Sequence, residues 1–276
     1  MPSNINEPHG FSNTNMHTHG LWVSPAGNSD NVLVDVKAGE TFEYEYAIPS
    51  DHWAGTMWYH PHKHGSTSTQ VATGLAGALI ITGGLDDEPQ LKGRKDLIMV
   101  LQKLAPIKAV EALTSADLTT VQNPLENKTQ TSINGQDRPR VFVEKGELVR
   151  FRFIAATTAG MIKLSFPAMV KGQPDLSNLL DMGVLAYDGI AAATGDDPNG
   201  SPVKSFKEII LAPGNRVDVQ VLMPTTGDGE LQYAIYESGS SSKEVIAAVL
   251  VGTKAKDDAP LTQISADTNF QCVSAA

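Results

Sequence analysis

The run "APGNRVDVQV" (Ala212–Val221) puts Val217, Val219 and Val221 on one side of an extended chain and enters through a glycine turn. Strict period-two alternation after such a turn reads as a β-strand with one buried face. Two other stretches follow the same plan. In "EKGELVRFRFI" (Glu144–Ile154), Val149, Phe151 and Phe153 oppose Arg150 and Arg152. In "KAGETFEYEYAI" (Lys37–Ile48), Phe42, Tyr44, Tyr46 and Ile48 oppose Glu43 and Glu45. All three are expected as half-buried antiparallel strands. "GALIITG" (Gly77–Gly83) and "AAVLVGT" (Ala247–Thr253) are apolar throughout and read as strands buried on both faces. Helical periodicity is weak, with short candidates only at Ala109–Leu118 and Asp175–Leu180. The pattern is all-β, of sandwich type.

The chain also repeats itself. "KAGETFEYEY" aligns with "APGNRVDVQV", "GTMWYHPH" (Gly55–His62) with "GELQYAIY" (Gly229–Tyr236), and "GALIITG" with "AAVLVGT", in the same order. Tandem β-sandwiches are therefore expected: residues 1–83, a polar linker at 84–95, a second sandwich at 96–253 and a tail at 254–276. In the second copy "MIKLSFPA" (Met161–Ala168) is the counterpart of "NMHTHGLW" (Asn15–Trp22) and is preceded by "RVFVEKGELVRFRFIAA". The first copy has no room for such a segment before His17, so it is expected to lack its opening strands. An uncovered edge of that kind favours self-association.

A net charge of -10 and a pI near 5.1 argue against nucleic acid and anionic membrane as partners. No apolar run reaches the roughly 18 residues of a membrane span. The polar N-terminus lacks the apolar segment of a signal peptide. A single cysteine, Cys272, excludes an intrachain disulfide.

All seven histidines lie in the first quarter of the chain. "NMHTHG" (Asn15–Gly20) carries His17 and His19, and "WYHPHKHG" (Trp58–Gly65) carries His60, His62 and His64. On a strand, residues i and i+2 share a face, so each His-x-His pair projects two imidazoles together. In the second copy His60 and His62 become Ala234 and Tyr236, so the sandwich itself does not require histidine there. Imidazole suits copper, zinc, iron and nickel, and the affinity order for divalent ions favours copper at an all-imidazole site. The absence of carboxylates within the motifs argues against magnesium, calcium and the two-His-one-carboxylate iron site. His9 and His52 stand alone in loops and read as ordinary surface histidines. His64 reads as an outer residue that orients a ligand rather than binding metal itself.

"MHTHGLWVSP" followed by "GTMWYHPHKHGSTSTQVATGLAGALIITG" resembles the first cupredoxin domain of the multicopper oxidases, the laccase and bilirubin-oxidase-like superfamily. "INGQDRPRVFVEKGELVRFRFIAA", "AYDGI" and "LAPGNRVDVQV" resemble the second domain of the three-domain type. The resemblance implies tandem cupredoxin-like Greek-key sandwiches and half of a trinuclear copper cluster. By it, His17 corresponds to a type 2 copper ligand, and His19, His60 and His62 to type 3 ligands. Asp30, in "GNSDNV", corresponds to an acidic residue that assists proton delivery; a turn-forming Asp is the plain alternative. The family's His-Cys-His motif of the type 1 blue copper site is absent, and Cys272 reads as a free tail thiol. Implied partners are dioxygen, a third cupredoxin domain and a phenolic, pigment or metal-ion reducing substrate. The implied setting is periplasmic or secreted. A non-enzymatic copper-binding or scaffold protein is the alternative.

Overall fold

A computed structural model describes residues 12–89, 91–104, 130–192, 204–225, 231–239 and 243–252. The first strands are β1 (His17–His19), β2 (Gly55–His60) and β3 (Gly77–Ile81), with helix α1 (Thr67–Ala72) between the last two. A 3₁₀ turn at Gly84–Asp87 leads to β4 (Asp96–Leu104), β5 (Gln130–Ile133), β6 (Arg140–Val143) and β7 (Leu148–Ala155). Then come β8 (Ile162–Ser165), β9 (Pro167–Val170), β10 (Gln173–Leu179), β11 (Met182–Tyr187) and β12 (Ile190–Ala191). The last are β13 (Ser205–Phe206), β14 (Ile209–Leu211), β15 (Arg216–Leu222), β16 (Leu231–Glu237) and β17 (Glu244–Val251). The fold is all-β, as the alternation predicts.

Two sheets form the larger sandwich. One runs β10-β9-β16-β17-β6, with β8 on β16 and β14 on β8; the other runs β12-β11-β15-β7-β4-β5, with β13 on β11. Between them lie Phe151, Phe153, Phe166, Val217, Val219 and Val221, all fully buried. The third sheet is β1-β2-β3. Its antiparallel order is repeated by β8-β16-β17, where Tyr236 pairs with Ser165 and Ile235 with Ala247. The two sets of three strands share that order.

Several expectations are corrected. Thr41–Ile48 forms no strand, although Phe42, Tyr44 and Tyr46 keep their alternation as a ladder of rings 4.7 and 6.0 Å apart. A strand needs a neighbour to bond its backbone, and no described strand lies alongside this run. For the same reason every residue of β3 is only half-buried: β3 pairs with β2 alone. Asp175–Leu180 is not helical, because β9 and β10 form a hairpin around Lys171 and Gly172, whose positive φ of 51° and 77° makes a tight two-residue turn. Helix α1 lies outside both helix candidates of the sequence, and 109–118 lies outside the described residues.

β7 departs from the half-buried antiparallel reading in two ways. It pairs antiparallel with β15 but parallel with β4. Its polar face is also buried, with Arg150 and Arg152 only 4% and 3% exposed. That face carries the junction with the three-stranded sheet. Arg150 donates to Asp218 and Asp86, each at 2.6 Å, and Arg152 donates to Asp86 at 2.7 Å and to Asp96. Thr56 of β2 donates its hydroxyl to Asp218 at 2.7 Å. Asp86 comes from the 3₁₀ turn within the polar linker, so that stretch is anchored rather than loose. Glycine is demanded at Gly55, where a Cβ would lie 2.1 Å from the carbonyl oxygen of Gly189. A small apolar seam of Trp58, Val100, Ile154 and Ala156 completes the contact.

Candidate metal centre

The register of β1 on β2 pairs His17 with His60 and His19 with Trp58. Cross-strand partners share a face, so His17, His19, His60 and Trp58 project together, and Thr18 points the other way into a buried position. The ring of His17 lies 5.7 Å from that of His19 and 5.2 Å from that of His60. One ligand nitrogen from each of His17, His19 and His60 lies within 4.8 Å of the others.

His62 joins them by another route. β2 ends at His60, so His62 is not placed by strand phase. Its backbone N–H donates to the Asn15 side-chain oxygen at 2.6 Å, which curls Pro61–His62 back over β1 and sets its ring 5.1 Å from that of His17. Asn15 is buried and also donates to the carbonyls of Val32 and Val34. It therefore ties the His62 backbone, β1 and the segment after Asp30 together. Helix α1 braces the same region, as Gln70 accepts from the Thr14 hydroxyl and donates to the Asn13 carbonyl. His64 sits beyond, exposed in the turn that leads into α1. His52 is engaged elsewhere: its Nε2 accepts from the Trp22 N–H at 2.9 Å and its Nδ1 faces the Trp53 carbonyl at 2.7 Å. His9 and Cys272 lie outside the described residues.

The outer nitrogens are fixed. His17 Nδ1 lies 3.0 Å from both carboxylate oxygens of Asp30, and that carboxylate also accepts the Thr18 N–H at 2.8 Å. Burial alone would raise the Asp30 carboxyl, but the bonds from His17 and Thr18 hold it below the usual range. Such an ionised acceptor assigns the Nδ1 proton and leaves His17 Nε2 as a lone pair. His60 Nδ1 donates to the Pro61 carbonyl at 2.9 Å, so its Nε2 is also a lone pair. That Nε2 is buried and has no hydrogen-bond partner. An orphaned buried acceptor costs about 1–3 kcal/mol unless something fills its place.

Burial, chiefly, lowers both His19 and His60 to about 4; Arg216 and His17 add to the effect at His19. Both rings are therefore neutral near pH 7, the form in which imidazole binds metal. Trp58 stacks on both, its ring 5.2 Å from that of His19 and 4.2 Å from that of His60. An all-imidazole donor set, one orphan nitrogen aimed among the rings and a carboxylate behind His17 together fit a borderline-soft divalent ion such as copper.

Sequence reasoning missed Asn15, Trp58 and Arg216. Trp58 precedes His60 by two on one strand, so period two alone places it on the ligand face. Asn15 and Arg216 act across 47 and about 200 residues of chain, and no local pattern announces such contacts.

Residues 6–85 match the family model described as "Multicopper oxidase". The chain is 28% identical over 213 residues to the multicopper oxidase mco of Staphylococcus haemolyticus, covering 76% of this chain and 41% of that protein. It is 28% identical over 171 residues to laccase-4 of Thanatephorus cucumeris, covering 55% of this chain and 30% of that one. The crystal structure of McoA multicopper oxidase from Aquifex aeolicus superposes with a TM-score of 0.65 at 24% identity, covering 91% of this chain and 52% of that one. The chain thus spans about two fifths of the first of these relatives, and it shares the cupredoxin-like sandwich fold with the Aquifex aeolicus structure. No helix among the described residues is long and apolar enough to cross a membrane.

Proposed function

We propose, from the match of residues 6–85 to the multicopper oxidase model and the likeness to the staphylococcal mco proteins, that His17, His19, His60 and His62 hold copper as half of a trinuclear cluster. In this reading His17 serves the type 2 ion, and His19, His60 and His62 serve the type 3 ions. The buried, partnerless Nε2 of His60 beside two further imidazoles carries the proposal. Copper, when bound, supplies the one-electron chemistry that couples oxidation of a reducing substrate to reduction of dioxygen to water. The remaining imidazoles and the blue copper site come from outside these 276 residues, as from a third cupredoxin domain. The reducing substrate, whether phenol, pigment or metal ion, docks there too. A periplasmic or secreted setting belongs to the same reading.

The residues of this chain have separable tasks. Asp30 fixes the His17 tautomer and, as an ionised carboxylate behind a ligand, is placed to hold a proton on its way to the cluster. Trp58 keeps His19 and His60 at their stacking distance and excludes water from one side. Asn15 holds the His62 turn in place.

Copper titration of the purified chain tests this. The expected result is copper that is held by the wild type and lost, at least in part, from His60→Ala and His17→Ala. Equal copper in all three chains would refute the assignment. Copper retained without oxygen uptake in a protein that also carries the other cluster ligands would favour the copper-binding scaffold instead.

A further inference from the structure

The second sandwich reaches into the histidine cluster through the turn before β15. A Cβ on Gly214 would lie 3.3 Å from His19 Cε1 and 3.8 Å from Trp58 Cζ2, so this backbone forms one wall of the site. Two residues on stands Arg216, only 4% exposed. Its guanidinium is held by carbonyl groups: Nε donates to Thr56 at 3.2 Å, Nη1 to Gly214 at 3.1 Å and Nη2 to Asp188 at 2.8 Å. A Cβ on Gly20, the residue after His19, would lie 2.7 Å from Nη2. The cation is therefore packed directly against the His19–Gly20 backbone.

Carbonyls orient a guanidinium but do not neutralise it. The carboxylate nearest to it is Asp188, 3.4 Å from Nη1, whose side chain is 48% exposed and so partly screened by water. The buried Asp218 is the other carboxylate acting on it, and that group is already bonded to Arg150, so the Arg216 charge is only partly offset on the His19 side of the cluster.

We propose that Arg216 is a positioning residue for the copper site, a fixed buried charge from the second sandwich that favours the lower oxidation state of copper held through His19. The inference rests on the copper reading above. Its physics is simple: the copper ion gains one electron, no protein bond forms or breaks, and a nearby positive charge favours the less positive product. At an effective dielectric of about 20, a unit charge within roughly 12 Å suffices for a tenfold effect. A merely structural Arg216 would tie β15 to β2 and leave this preference unchanged.

The test compares Cu(II) and Cu(I) dissociation constants for the purified chain and three variants. Arg216→Met is expected to shift the ratio at least tenfold towards Cu(II), about 59 mV for a one-electron couple. Arg216→Lys keeps the charge and should retain most of the wild-type ratio. Asp188→Asn removes the opposing charge and should move the ratio towards Cu(I); asparagine accepts the positive φ of 49° at that position. If Arg216→Met fails to fold, Asp188→Asn decides alone. An unchanged ratio in Asp188→Asn or Arg216→Met, or equal shifts in Met and Lys, overturns the proposal. Copper binding that is insensitive to His60→Ala refutes the copper reading and this inference with it; an unmoved ratio in a chain whose copper requires His60 refutes the inference alone.

Discussion

Asp30 and His17 meet through a forked contact, both carboxylate oxygens lying 3.0 Å from one ring nitrogen. The ring is thereby locked in tautomer and orientation, with Nε2 facing the other imidazoles. Asp30→Asn keeps the shape and removes the charge. Copper affinity should fall roughly 10- to 100-fold, the usual effect of losing the carboxylate behind a ligating histidine. Calorimetric titration checks this. Unchanged affinity would reduce Asp30 to a turn residue.

Acid should weaken the metal-free chain in a distinctive window. Burial lowers His19 and His60 to about 4, whereas free histidine in the unfolded chain titrates near 6.5. The unfolded chain therefore binds more protons between these values. Stability is complete above about 6.5, declines as pH falls and stops declining from this source near 4. Asp86 acts lower: burial would raise its carboxyl, but Arg152 and Arg150 hold it below 3.8. Urea midpoints measured from pH 7 to 3 should show the upper step in the wild type and lose it in His19→Gln/His60→Gln. A step that survives the double substitution would place its origin elsewhere.

Asp218 is 1% exposed and bonds both Arg150 and Thr56. Asp218→Ala leaves a buried guanidinium short of its counter-charge, which costs about 3–5 kcal/mol. Asp218→Asn retains the shape and should cost less. Equilibrium denaturation reads the difference, and a loss below about 1 kcal/mol for the alanine variant would show that water compensates the arginines.

His60→Ala should lower metal loading while sparing the metal-free fold. The substitution removes packing against Trp58 but also relieves the orphaned Nε2, and the corresponding residue of β16 in the repeat is Ala234. The two effects oppose, so the thermal midpoint should stay within about 4 °C. A larger fall would show that the ring is a packing element first.

Added Cu(II) should quench Trp58 before Trp22 or Trp53. Trp58 is 3% exposed and stacked on the His19 and His60 rings, while Trp22 and Trp53 are 57% and 42% exposed. Loss should begin at the blue edge of the emission and disappear in Trp58→Phe. Uniform quenching across the band would instead indicate copper at the surface.

Much of this was legible in the sequence because it is local. Alternation gives β7 and β15, the apolar run gives β17, the repeat gives β2 and β16, and His-x-His spacing puts His17 and His19 on one face. What was not legible depends on neighbours. Thr41–Ile48 alternates as well as β15 does, yet only β15 has strands on both sides to bond it. Arg150, Arg152 and Arg216 look like the solvent face of their strands, and become interior only because β2 and the Gly84–Asp87 turn lie over them. His62 is brought in by a hydrogen bond to Asn15 rather than by strand geometry, so its spacing from His60 was a correct clue for an incomplete reason.

The close approach of Gly55 to Gly189 sets a rule for recombination. At that point two backbones touch where not even a methyl group fits, and the flanking Thr56, Asp86, Arg150, Arg152 and Asp218 form one polar unit. A chimera that crosses over in the linker would divide this unit between two parents. Grafting β2, the 3₁₀ turn, β7, the Asp188–Gly189 turn and the run from Gly214 through β15 as a single cassette keeps the matched halves together and carries the wall of the histidine site with it.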